Sequence, residues 1–225
     1  MNIPSITSSF ASLRTLIAAG SLVAASLLQT AVAAPVVEMP DAGDTRATAQ
    51  DVRAFGFELQ ISGGLSNETN SPDWVDMYQV RHGNYSRFVA GTAAGPGLLD
   101  DPVLFLFDSG GVGVAMDDEG GGFSQALIRL VSSLSQGDYF LAIAFAGMEA
   151  LDVSNASIFD TFGSGSLTSL SPLFSWGGTP FVIDPAISGA YQLSVQSVDE
   201  PATLLLVALA IAAVGGVQRR RVSVR

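Results

Sequence analysis

Acidic side chains are the residues of this chain with the most chemical potential. Asp73, Asp76, Asp100, Asp101, Asp108, Asp117, Asp118 and Glu119 crowd the turns between short apolar runs. Calcium takes about six to eight oxygen ligands from carboxylates, carbonyls and water, and flexible acidic loops can supply them. The EF-hand spacing is absent and no pattern singles out a ligand set, and Asp108 with Asp117 and Asp118 is the first choice for a Ca²⁺ ion. The same acids equally suit a solvated surface on which Asp serves as a turn former through its own hydrogen bonds.

Other chemistries are poorly provided for. Phe107-Asp108-Ser109-Gly110 has the form of an aspartic-protease half-site, but that reaction needs two carboxylates sharing a proton. The second candidate, Asp160-Thr161-Phe162-Gly163, is interrupted. His82, beside Gly83-Asn84, has no Gly-x-Ser-x-Gly elbow to serve and reads as an exposed turn residue. Gly120 to Gly122 lacks the Lys-Ser/Thr that completes a phosphate loop. With no Cys, a disulfide framework, a thiolate zinc site and a Cys nucleophile are all excluded. Trp176, in Ser175-Trp176-Gly177-Gly178, sits in an expected loop and offers an aromatic face to a sugar ring. Trp74 and Tyr191 fall on expected strands, where core packing is the usual use.

The elements that must position these residues occupy the middle of a chain of 225 residues, enough for one ordinary domain with addressing segments. Between residues 51 and 198 apolar residues alternate or run in short blocks separated by Gly and Asp turns. Phe55, Phe57, Leu59 and Ile61 alternate with polar residues or Gly, and Ser62 to Pro72 reads as a turn-rich stretch. Trp74 to Val80 reads as a strand, Val103 to Phe107 as a continuous buried one, and Tyr139 to Phe145 and Ala190 to Val195 as further strands. Such spacing predicts an all-β fold, an antiparallel sandwich or jelly roll, rather than βαβ units. Residues 34–50 read as a leader or linker, and residues 148–187 as a loop-rich stretch with a short strand or two.

Both ends read as addresses. An apolar run from Leu16 to Leu28, about 13 residues, is short for a bilayer and right for a signal-peptide core. Ala31-Val32-Ala33 then supplies an A-x-A site, with cleavage expected after Ala33 and Ala34 as the first mature residue. Residues 1–33 are thus expected to be a signal peptide read by signal peptidase. At the other end, Asp199-Glu200-Pro201-Ala202-Thr203 leads into an apolar stretch closed by Arg219, Arg220 and Arg221. A helix over 202–217 spans about 24 Å against a hydrocarbon core of about 30 Å. The Arg cluster would keep its own end in the cytoplasm and the body outside.

The body itself is strongly acidic. The chain has 10 basic residues, all Arg, and 21 acids. Every acid lies between Glu38 and Glu200, an interval holding five of the arginines, for a net charge there of −16. Such a field repels phosphate backbones, which excludes nucleic acid as a partner.

The tail, residues 199–225, resembles the PEP-CTERM sorting signal of Gram-negative bacteria that make extracellular polysaccharide. Glu200-Pro201-Ala202-Thr203, the apolar helix and Arg219 to Arg221 carry the likeness, and Asp199 stands where that family usually has its first Pro. The resemblance implies recognition by an exosortase and delivery to the cell surface or the exopolysaccharide matrix. A plain C-terminal membrane anchor on a periplasmic protein is the alternative.

The body resembles the bacterial pre-peptidase C-terminal (PPC) domain over roughly residues 41–146. The likeness rests on Asp41-Ala42-Gly43-Asp44-Thr45, Asp73-Trp74-Val75-Asp76-Met77-Tyr78, Leu99 to Asp108, Asp117-Asp118 and Gly137 to Ile143. It implies a small β-sandwich that binds matrix or assists secretion, in some members with calcium. The expectation is therefore a non-enzymatic binding or structural module, with a secreted hydrolase acting on polysaccharide through paired carboxylates as the rival.

Overall fold

The computed structural model describes residues 33–68, 71–83, 87–122, 124–131, 134–160, 165–181 and 188–198. Among these described residues twelve strands carry the fold: β1 (Ala34–Val37), β2 (Gln50–Asp51), β3 (Glu58–Ser66), β4 (Val75–His82), β5 (Arg87–Thr92), β6 (Pro102–Asp108), β7 (Gly113–Asp117), β8 (Leu127–Val131), β9 (Gly137–Phe145), β10 (Met148–Leu151), β11 (Ser175–Gly178) and β12 (Ser188–Val198). One five-stranded sheet has the order β1-β3-β12-β5-β8 and the other β2-β4-β9-β6-β7, with β10 and β11 forming a separate ribbon. The expected all-β sandwich is present.

Two departures from the expected antiparallel pattern lie at the start of the chain. β1 runs parallel to β3, and β2 parallel to β4. Long connections precede both partners, so tight hairpins do not dictate the pairing. Residues 34–50 are accordingly no linker: Val36 pairs with Ile61 and is buried with the core.

The inner faces follow the period of two. On β3, Leu59, Ile61 and Leu65 point inward, and on β12 Tyr191, Leu193 and Val195 do the same. Between Ile61 and Leu65 the inward position is Gly63, directly paired with Tyr191. A Cβ at Gly63 would fall on the Tyr191 hydroxyl and the Glu38 carboxylate. The glycines that suggested a turn at Ser62 to Gly64 therefore lie inside a strand, where two other groups approach the backbone closely.

β6 is apolar from Pro102 to Phe107 because it is covered on both sides. Leu104 and Leu106 alternate with Val103, Phe105 and Phe107, and all five are buried. Phe105 and Phe107 pack on Phe159 and Trp176, with ring centroids 5.2–6.1 Å apart. Residues 148–160 and 165–181 thus form an added layer over the second sheet. Trp176 lies on β11 rather than in a loop, its ring half-buried against that cluster.

His82 is a further correction. It ends β4 and is 1% exposed, with Nδ1 3.0 Å from Ser197 Oγ and ring-edge contacts to Phe88 and Tyr139.

Apart from Ala33, the expected signal peptide and the expected sorting tail, including Ala31, Asp199, Glu200, Pro201, Ala202, Thr203, Arg219, Arg220 and Arg221, lie outside the described residues. Among the described residues no helix is long and apolar enough to cross a membrane.

Candidate metal centre

β4 carries a polar side chain where the core expects an apolar one. Asp76, Tyr78, Val80 and His82 share its inward face, and Asp76 is wholly buried there. Its Oδ2 accepts a hydrogen bond from the Tyr191 hydroxyl at 2.7 Å, and Tyr191 in turn bonds the Tyr78 hydroxyl. The other oxygen, Oδ1, is buried without a hydrogen-bond partner among the described residues. Leaving such an oxygen unsatisfied costs about 1–3 kcal/mol, and more when it is charged.

Three more carboxylates converge on it. Glu38, Asp41, Asp73 and Asp76 each present an oxygen, and those atoms all lie within 4.8 Å of one another. The local structure sets each in place. Glu38 follows β1 directly, its backbone N–H donating to Ser62 O at 3.0 Å. Glu38 Oε2 accepts from Gly64 N at 2.8 Å, and Oε1 from Ala42 N at 3.2 Å. Asp41 Oδ1 accepts from Gly43 N at 2.8 Å. Asp73 is held by a two-way backbone bridge to Ser66, 2.7 Å in both directions, which ties the end of β3 to the start of β4.

The electrostatics of the cluster are those of carboxylates lacking a counter-charge. Burial pushes the Asp76 carboxyl up to about 9, with the Asp73 charge adding to the rise against the Tyr191 hydrogen bond. Burial together with Asp41, Glu38 and Asp44 raises Asp73 to about 7. A divalent cation held among the four carboxylates would remove that repulsion and offer the buried Asp76 carboxylate a further partner. An all-oxygen, carboxylate-rich donor set fits a hard cation, and calcium tolerates its irregular geometry better than magnesium.

The residues expected to hold calcium are not brought together. Asp108 Oδ1 accepts from Gly110 N and Val112 N at 2.8 and 2.9 Å, which makes it the turn former between β6 and β7. Asp117 Oδ1 accepts from Gly120 N and Leu127 N, both at 2.7 Å. Asp117 pairs with Leu104, four residues along β6 from Asp108, so the two sit about 13 Å apart at opposite ends of one hairpin. Asp118, next to Asp117, is equally remote, so Asp108 and Asp118 form no catalytic pair either.

Beside the acidic cluster runs a cleft. One hollow of about 840 Å³ is flanked by the 44–47 loop and β11, and a second of about 480 Å³ continues from it. Trp74, Trp176, Asp44 and Met148 line both, and Asp41 and Asp73 line the second. Trp176 Nε1 donates to Asp44 O at 2.6 Å and Trp74 Nε1 to Asn67 Oδ1 at 2.8 Å, so both indoles are fixed.

The sequence contained a signal for the centre that spacing arguments passed over. Asp76 falls in register with Tyr78 and Val80 on a strand whose inner face must be apolar. Glu38 and Asp41 gave no such signal, because they reach the site only through the pairing of β1 with β3.

No known family model matches the chain. No curated protein matches it either. Among solved structures it is similar to the 1.0 Å crystal structure of the pre-peptidase C-terminal domain of collagenase from Bacillus anthracis, at 12% identity and a TM-score of 0.33, over 75% of this chain and 98% of that one.

Proposed function

We propose that the protein is an exported, non-enzymatic β-sandwich module, in which a Ca²⁺ ion held by Glu38, Asp41, Asp73 and Asp76 fastens the N-terminal segment to the sandwich. The observation that carries this reading is the wholly buried Asp76 with one unpartnered carboxylate oxygen among three further carboxylates. Glu38 and Asp41 come from the segment behind β1, and Asp73 and Asp76 from the start of β4. The cation therefore crosslinks two stretches far apart in sequence. Such an arrangement serves stability and orientation, and asks nothing of a substrate.

The tail completes the reading. Exosortase processing near Glu200-Pro201 would exchange the membrane helix over 202–217 for release or a new attachment. The module would then act at the cell surface or in the exopolysaccharide matrix of a Gram-negative bacterium.

Calorimetry with calcium and with EGTA tests the metal. At a calcium concentration a hundredfold above Kd the gain is about 2.7 kcal/mol, which is about 5–10 °C in Tm for a chain of this size. The Asp73→Asn/Asp76→Asn double variant should show no gain. A wild-type Tm indifferent to calcium would sink the metal reading. Intact mass spectrometry of membrane, surface and medium fractions tests the sorting. A C-terminus near Glu200 or Pro201 outside the membrane supports it, and a full-length chain confined to the inner membrane overturns it.

A further inference from the structure

The cleft and the acidic cluster are one continuous feature. Asp41 and Asp73 belong to the cluster and also line the narrower hollow, while Trp74 and Trp176 line both hollows. Asp41 is exposed and Asp73 half-buried, so the cluster meets solvent on the side where the cleft lies. Calcium takes about six to eight oxygens, and four carboxylates need not supply them all. A ligand in the cleft that offers a pair of neighbouring oxygens can complete the shell.

We propose that the cleft binds a neutral saccharide, which places two vicinal hydroxyls on the calcium ion and lays an apolar ring face against the tryptophan wall. The inference rests on the calcium reading above. The charge decides the class of sugar. Four carboxylates around one divalent cation leave two negative charges uncancelled, while Asp44 and Arg46 in the wall offset each other. A uronate would enter against that field, whereas a diol enters without charge and coordinates as an oxygen donor. The walls suit the same ligand. Indole is the aromatic surface that a sugar's C–H face can cover, and Thr45, Ser175 and the Gly177 backbone supply hydrogen-bonding groups around it.

Affinity electrophoresis of the full chain tests this, in gels containing mannan, galactan or polygalacturonate, with calcium or with EGTA. Trp176 supports the Phe105 and Phe107 packing, so its removal can unfold the added layer. Ala47→Trp is the cleaner variant, because Ala47 is exposed on the 44–47 loop and a bulky side chain there fills the cleft. The expected result is retardation by mannan or galactan in calcium, weakened at least tenfold by EGTA and by Ala47→Trp. The calcium-induced Tm gain should survive in Ala47→Trp. A full Tm gain without retardation by either neutral glycan overturns the saccharide site and leaves the metal standing. Retardation that is equal in EGTA overturns the metal-borne contact. Stronger retardation by polygalacturonate overturns the neutral class. Absence of any Tm gain removes the calcium reading itself, and this inference with it.

Discussion

The Tyr191 hydroxyl donates to Asp76 Oδ2 at 2.7 Å across the gap between the two sheets, since Tyr191 stands on β12 and Asp76 on β4. The Tyr78 hydroxyl joins them from β4, and burial pushes both phenols up, so each remains protonated at any ordinary pH. Tyr191→Phe removes the middle of this chain, leaving Asp76 with two orphan oxygens and Tyr78 without its partner. The expected loss is about 1–3 kcal/mol, read by urea denaturation in EGTA. A loss near zero would show that the bridge carries no stability.

Metal-free stability should fall as pH rises. Asp73 and Asp76 have folded-state pKa values of about 7 and about 9 against 3.8 for the free side chain. The folded chain therefore holds more protons than the unfolded one between those limits. Their contribution is complete below about pH 4 and is lost as pH climbs through 7 and 9, at no more than about 1.4 kcal/mol per pH unit for each carboxyl. Melting in EGTA from about pH 5.5 to 9 checks it. Calcium must displace the same protons, so its Tm gain should grow over that range. A flat EGTA profile contradicts the prediction.

Gly63 and Gly64 should respond very differently to alanine. A methyl group at Gly63 meets the Tyr191 hydroxyl and the Glu38 carboxylate, two parts of the candidate centre. At Gly64 the nearest atom is the Gly189 carbonyl oxygen, 3.6 Å away, an ordinary contact. Gly63→Ala should cost about 2 kcal/mol or more and abolish the calcium response. Gly64→Ala should stay within about 1 kcal/mol. Equal effects at the two positions would mean that Tyr191 is free to move aside.

Phe105→Ala should cost about 3–5 kcal/mol, because the ring is buried among Phe107, Phe159 and Trp176. Phe174, 67% exposed on the same added layer, should cost less than about 0.5 kcal/mol when truncated. Near-UV circular dichroism of Phe105→Ala should also lose its tryptophan bands, since Trp176 rests on that ring. Retention of those bands would place the packing of Trp176 elsewhere.

How far the sequence could be read depended on the range of the interaction. Alternation and apolar runs are local, so β4, β6, β9 and β12 were visible within a residue or a few of their ends. Phe55 was expected to begin a strand, but it ends a 3-10 turn and is half exposed, since Gly56 breaks the extended backbone with φ 109°. β1 was missed because a short parallel strand has no pattern of its own and exists only by pairing with β3. The same non-local pairing hid the candidate metal centre. Asp108 and Asp117 looked like ligands because acids in turns are conspicuous, whereas backbone N–H groups already occupy the Oδ1 of each.

β12 is the last described strand, yet it lies in the middle of its sheet, bonded to β3 on one side and β5 on the other. Until residues 188–198 have left the ribosome, β3 and β5 have no common neighbour and Gly63 has no Tyr191 over it. The first sheet is thus sealed by a keystone that emerges after every other described strand. A chain threaded from its N-terminus has to stay open for nearly its whole length, and the assembly step is dominated by contacts between distant residues, the slow kind.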